Sequence, residues 1–259
     1  MTLSRPRAFL STMLFLGMVL GLLGPYVVML ALWPKQRHRI AALFFKGCLK
    51  LTGIRPIISG APAPGATLFA ANHVSYLDIP VLGAVLSDAV FVAKREVAKW
   101  PLFGFLARLA GTEFVARSGA DAHGQCLKLA QRLNANAALI VFPEGTSTDG
   151  LEVRPFKSAL FAALDLSHGA GQVQPVSIVY DRSACAWHGD MTLAPHLWQM
   201  FNEPGGKVRV TFHEPVFRAD FPDRKALAKY CEGVVRDAID AARFTPKNPM
   251  EDPLAAAAE

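Results

Sequence analysis

The sequence predicts an α/β domain with a mixed, partly parallel central sheet, preceded by an N-terminal membrane helix. Three observations lead there. Short apolar runs bounded by turn residues alternate with stretches of helical periodicity from Thr67 onward. An uncharged segment, Ala8–Trp33, stands near the N-terminus. Hydrophobic residues make up 52% of the chain, and the mean hydropathy is +0.26, high for a soluble domain.

Ala8–Trp33 holds 26 residues. As a helix they would extend about 39 Å, more than a hydrocarbon core of about 30 Å. Pro25 is expected to kink it, because proline lacks the N–H and crowds the preceding turn. A cleaved signal peptide fits poorly: the apolar run is too long, and no small-residue cleavage site closes it. Basic residues flank both ends, so orientation stays open between spanning and insertion from one side.

Charge is unevenly spread. The net charge is +6, yet residues 1–77 carry eight basic residues and no acidic one, leaving the remainder at −2. Basic residues beside apolar sequence suit an anionic lipid surface. No basic stripe runs through the remaining body, so nucleic acid is not expected as a partner.

Ile40–Ile54 follows as a helix that places Lys46 and Lys50 on one face. It is either an interfacial helix or an ordinary amphipathic helix on the domain surface. The turn Ala61–Gly65 opens the main body. Expected strands are Thr67–Ala71, Val90–Ala93, Glu113–Ala116, Ala138–Phe142, Gln174–Tyr180 and Val208–Phe212. Expected helices are Ile79–Leu86, Leu102–Ala110, Ala120–Asn134, Phe156–Leu166 and Arg224–Phe244. The Pro/Ala-rich end, Asn248–Glu259, is expected to fray.

The four cysteines, Cys48, Cys126, Cys185 and Cys231, are scattered. They form no metal-ligand spacing, and reduced core thiols are expected.

Four constellations carry chemistry. Asn72-His73-Val74-Ser75-Tyr76-Leu77-Asp78 follows the TLFAA strand. Asp78 is an N-cap candidate before Pro80, and His73 lies in the strand-to-helix loop within reach of that carboxylate. A carboxylate on one ring nitrogen fixes the tautomer and frees the other nitrogen as a base. The plain alternative is a capped loop. In the second constellation, Phe142-Pro143-Glu144-Gly145-Thr146 ends the AALIV strand, where backbone N–H groups can form an anion-binding nest. A solvated strand end is the alternative. In the third, Phe114–Arg117 leads into a Gly- and Ser-containing loop, and Arg117 suits a phosphate. The fourth is a buried strand carrying Pro175, which marks an edge or irregular position.

Taken in order, N-H-x4-D, F-x-x-R, F-P-E-G-T and V-x-P-V resemble the blocks of the acyltransferase family that includes bacterial 1-acylglycerol-3-phosphate acyltransferases. The resemblance covers roughly residues 55–216. It implies a glycerolipid-acyltransferase-like αβ sandwich, with an anchoring segment over residues 1–55, an acyltransferase domain over 56–245 and a flexible tail over 246–259. It implies His73 as general base and Asp78 as its orienting partner. Arg117, Glu144, Gly145 and Thr146 would bind the acceptor, with Lys157 a further phosphate ligand. Pro175 would lie on the donor side.

The implied reaction is transfer of a fatty acyl group from acyl-CoA or acyl carrier protein to the sn-2 hydroxyl of 1-acylglycerol-3-phosphate, giving phosphatidic acid. The alternative acceptor is lyso-ornithine lipid or another lysophospholipid. Trp187–Met200 resembles relatives that acylate lyso-ornithine lipid as well as those making phosphatidic acid, whereas Arg117 favours a phosphate. A catalytically silent membrane protein is a third reading, against which the intact His73, Asp78 and Glu144 argue. No cofactor, metal or acyl-enzyme is expected. The expected location is the inner membrane, with the catalytic domain on the cytoplasmic face.

Overall fold

The computed structural model describes residues 5–33, 37–100, 103–115, 122–167 and 171–244. Arg117 and the tail from residue 246 lie outside the described residues, as do Ala116, Leu102 and Ala120 at the ends of expected elements.

Two helices come first, α1 (Arg5–Leu32) and α2 (Arg37–Thr52). Helix α1 continues through Pro25. Within it, Pro6–Met29 is long and apolar enough to cross a membrane. Gly53, at φ +70°, ends α2; a side chain there would also strike the backbone of Gly205.

The body then alternates β1 (Ile54–Ser59), β2 (Thr67–Ala71), α3 (Asp78–Val85), β3 (Val90–Lys94), α4 (Phe103–Leu109), β4 (Glu113–Val115), α5 (Ala122–Asn134) and β5 (Leu139–Val141). It ends with α6 (Ala162–Asp165), β6 (Gln172–Tyr180), α7 (Leu193–Asn202), β7 (Gly206–Phe212), β8 (Val216–Phe217) and α8 (Arg224–Phe244).

The strands form one sheet in the order β1-β7-β6-β2-β5-β3-β4, with β8 also on β6. Strands β6, β2, β5, β3 and β4 are mutually parallel, while β7 and β8 run antiparallel to β6. Alternation along β2 sorts its side chains between two cores. Leu68 and Ala70 pack under α5 and α8, and Phe69 and Ala71 pack toward α2, α3 and α7. Helices therefore cover both faces of a mainly parallel sheet, which requires strands as apolar as TLFAA and LIV.

Pro175 sits inside β6 without breaking it. Its carbonyl accepts from His213 N, so its missing N–H faces the same edge of the strand. On that edge β8 pairs only as far as Val173, and β7 starts at Val176. The proline falls in the gap between two partner strands, an irregular position as its residue type requires.

Three expectations need correction. Phe156–Leu166 is helical only over Ala162–Asp165. Phe156 N donates to Glu232 Oε2 and Lys157 N to Pro143 O, so these amides are drawn out of any helical ladder. Asp78 is the first helical residue and not the N-cap, which is Leu77 with no capping side-chain bond. The strand β1 was not expected: its Pro56 is tolerated because β1 is an edge strand, paired on β7 alone.

Helix α1 does not stand apart. Ala8, Phe15 and Val19 are buried against Phe201 of α7, with Phe44 of α2 and Phe103 of α4 alongside. At Gly47 the two N-terminal helices come so close that a side chain would meet Met18 Sδ. The outer face stays apolar and exposed, with Phe9 at 59%, Leu20 at 71% and Leu32 at 60%. On α2 the exposed face carries Arg39, Lys46 and Lys50.

Candidate active site

The parallel strands deliver their carboxyl ends to one edge of the sheet, where sites form in folds of this kind. β2 ends at Ala71 and hands over to Asn72 and His73, and its neighbour β5 ends at Val141 before Glu144. Asn72 extends the β2–β6 ladder with its side chain: Nδ2 donates to Ile178 O at 2.9 Å, and Oδ1 accepts from Ile178 N at 2.7 Å.

His73 Nδ1 lies 2.8 Å from Asp78 Oδ2. That oxygen also accepts from Val74 N at 2.8 Å and Ser75 N at 3.1 Å. The carboxylate thus organises the loop before α3 and not the first turn of the helix. Its other oxygen accepts from the Tyr180 hydroxyl at 2.8 Å. Asp78 is fully buried, so each of these bonds is unscreened by solvent. Burial, then the Asp78 charge, holds the Tyr180 phenol well above its ordinary range, so it remains a donor. Tyr180 belongs to the site and was not singled out from sequence; its position at the end of a strand is the one signal it offered.

With Nδ1–H committed to Asp78, the lone pair of Nε2 is free. The ring stacks on Phe142, with centroids 4.2 Å apart and planes at 22°. His73 is 19% exposed at its side chain and opens into an apolar cavity of about 820 Å³. The cavity runs between the carboxyl edge of the sheet and the N-terminal helices, from His73 and Lys157 to Phe15, Val19 and Tyr26 of α1. Trp187 lines it as well; its amide donates to Val74 O at 2.9 Å, and its ring meets Tyr76 and Trp100 edge-on. Tyr76 is held by His196 Nδ1 at 2.9 Å, whose Nε2 faces the carbonyls of Ala184 and Ala186. Burial lowers the His196 pKa, keeping it neutral with Nε2 as donor and Nδ1 as acceptor from Tyr76.

Pro143-Glu144-Gly145-Thr146 borders this site. Glu144 is 2% exposed; Oε1 accepts from His73 N at 2.7 Å and Oε2 from Arg154 N at 2.8 Å. Burial pushes its carboxyl up to about 7, against the opposing pull of those two N–H groups. Thr148 N and Oγ1 donate to the His73 carbonyl at 2.9 and 3.3 Å. Gly145 takes φ +74°, and a Cβ there would lie 2.9 Å from Lys157 Nζ, so the Lys157 ammonium lies over the Gly145 backbone. Gly145, Thr146 and Lys157 line the cavity with His73. Glu144 and Pro175 are not among its lining residues. Arg117 lies outside the described residues. Among the described residues, no three His, Cys, Asp or Glu side chains gather as a metal site.

The arrangement can activate a hydroxyl. His73, oriented by Asp78 with Nε2 free, and the cation of Lys157 line the same apolar cavity.

Residues 55–179 match the family model described as Acyltransferase. The chain is 41% identical to a lyso-ornithine lipid O-acyltransferase of Rhodobacter capsulatus over 74% of this chain and 72% of that protein. It is 33% identical to a 1-acyl-sn-glycerol-3-phosphate acyltransferase of Neisseria gonorrhoeae over 80% of this chain and 83% of that one. In fold it is similar to the crystal structure of the 1-acyl-sn-glycerophosphate acyltransferase of Thermotoga maritima, with a TM-score of 0.67 and 22% identity over 93% of this chain and 98% of that one.

Proposed function

The chain belongs to the acyltransferase family, as an enzyme of the lysophospholipid type, and from that premise we propose that its acceptor is lyso-ornithine lipid. The observation that carries the chemistry is the 2.8 Å bond from His73 Nδ1 to Asp78, which leaves Nε2 open to the cavity. Nε2 takes the proton of the acceptor hydroxyl as that oxygen attacks the carbonyl carbon of an acyl thioester. The tetrahedral intermediate collapses, the C–S bond breaks, and the imidazolium returns the proton to the leaving thiolate. The products are the acylated lipid and the free thiol of CoA or acyl carrier protein. Neither a cofactor nor a covalent acyl-enzyme enters the reaction.

The higher identity to the Rhodobacter relative, 41% against 33% for the Neisseria one, supports the lyso-ornithine acceptor. The second reading is 1-acylglycerol-3-phosphate, which the Lys157 ammonium at the cavity favours and which Arg117 would assist as a phosphate ligand. Enzyme and acceptor meet at the membrane. The exposed apolar face of α1 and the basic face of α2 suit the anionic cytoplasmic leaflet of the inner membrane.

The deciding experiment gives purified enzyme each acceptor with each donor. Preferred acylation of lyso-ornithine lipid supports the proposal; turnover of 1-acylglycerol-3-phosphate alone overturns it in favour of the second reading.

A further inference from the structure

We propose that Glu144 is a positioning residue, whose carboxylate clamps the His73 backbone to the loop carrying Arg154 and Lys157 and does not bind the acceptor. The inference rests on the reading of His73 as the base.

Three observations carry it. Both carboxylate oxygens are already engaged, one by His73 N at 2.7 Å and the other by Arg154 N at 2.8 Å. The side chain is 2% exposed and is absent from the cavity wall, although Pro143, Gly145, Thr146 and Ser147 on either side of it are present. The clamp is two-sided: while Glu144 holds the N–H of His73, Thr148 holds its carbonyl through N and Oγ1. The peptide bearing the base is therefore pinned at both ends by one five-residue stretch after β5, Glu144–Thr148.

A carboxylate suits this place because it accepts on both oxygens and donates on neither. Glutamine keeps one acceptor and points an NH₂ at the other backbone N–H, leaving two donors facing each other in a buried site. Aspartate is one methylene shorter and cannot reach both loops. In either case the imidazole loses its fixed distance to the acceptor hydroxyl, and a displacement of about 1 Å in a reacting group costs on the order of 10²-fold in rate. Lys157 keeps its own tie to the stretch after β5, its N–H donating to the Pro143 carbonyl, and the cavity wall does not include the Glu144 side chain. Binding constants should therefore hold while turnover falls.

The test measures kcat and both KM values for the full chain in detergent or vesicles, comparing Glu144→Gln, Glu144→Asp and Thr148→Val with wild type and with His73→Ala. The expected result for Glu144→Gln is a kcat lower by about 10- to 100-fold, with acceptor and donor KM within about twofold. Glu144→Asp should lose at least as much, and Thr148→Val less, because it retains its backbone bond to His73. A rise of tenfold or more in acceptor KM with kcat preserved would make Glu144 an acceptor ligand and overturn the clamp. So would wild-type kcat in Glu144→Gln. If Glu144→Gln fails to fold, Glu144→Asp decides: a lower kcat at constant KM supports the clamp, and wild-type kcat or a tenfold rise in acceptor KM overturns it. Retained activity in His73→Ala would remove the base reading itself, whatever the Glu144 variants do.

Discussion

Tyr180 donates its hydroxyl to Asp78 Oδ1 at 2.8 Å, joining the end of β6 to the start of α3 across 102 positions of sequence. The oxygen that faces His73 is thereby left to His73 and two backbone amides. Tyr180→Phe removes one charge-assisted bond and leaves a buried carboxylate oxygen without a partner, at a cost of roughly 1.5–3 kcal/mol. The expected outcome is a kcat lower by about 3- to 30-fold with little change in either KM, together with a lower melting temperature. Steady-state kinetics and a thermal melt of the same preparation check it.

His73→Ala should abolish acyl transfer in a folded, membrane-bound protein, since a positioned general base is worth about 10²–10⁴ in rate. Asp78→Asn should lower kcat strongly, because the amide can hold the ring in the wrong tautomer. The double variant should be little worse than His73→Ala, as the two residues act as a unit. Multiplying losses, or more than about a tenth of wild-type kcat in His73→Ala, would leave the pair a structural loop.

Lys157→Ala should raise acceptor KM about tenfold for an acceptor with an anionic headgroup, while donor KM and the fold hold. The ammonium stands over Gly145 at the cavity and its side chain bears no backbone clamp. Kinetics with an anionic acceptor and a neutral-headgroup analogue check this. An equal effect on both would assign Lys157 to packing.

Glu144 makes stability depend on pH in a stated direction. Its folded pKa is about 7, raised by burial from the ordinary 4.5. Between those values the folded state holds a proton that the unfolded chain has released, so stability falls as pH rises from about 4.5 to 7. The contribution amounts to at most about 3 kcal/mol at 1.36 kcal/mol per unit. Turnover runs the other way over the same window, because protonation replaces one acceptor of the clamp with a donor. Glu144→Gln should flatten this part of the stability curve in thermal melts at pH 5, 6, 7 and 8. A slope equal to wild type would assign the titration to another group.

The enzyme should remain in the membrane pellet after carbonate or high-salt washing. The outer face of α1 is apolar, and its inner face is bound to α7 and α2. Deleting residues 1–35 should both loosen attachment and reduce activity, because Phe15, Val19 and Tyr26 form part of the cavity wall. Release of the intact chain by salt alone would mean attachment by charge only.

What the sequence determined about this protein is local. Unbroken apolar runs in TLFAA and LIV marked strands buried on both faces, and helical periodicity marked α5 and α8 to within a few residues. The approach of His73 to Asp78 was legible because the two lie five positions apart, within the reach of one loop. Pro175 announced an irregular strand position by its residue type alone. Tertiary structure decided everything that joins distant segments. Parallel strands are never joined by a tight turn, so no local pattern states that β2 lies between β5 and β6. That order brings Glu144 under His73 and Tyr180 onto Asp78. It also explains why β1 escaped notice: an edge strand with Pro56 carries no alternation, and pairing with β7 alone makes it a strand. Lastly, the apolar composition of α1 speaks for a membrane, but only its packing against α7, α2 and α4 makes it a wall of the cavity into which His73 opens. Periodicity is set by neighbours in sequence, whereas a catalytic site is set by neighbours in space.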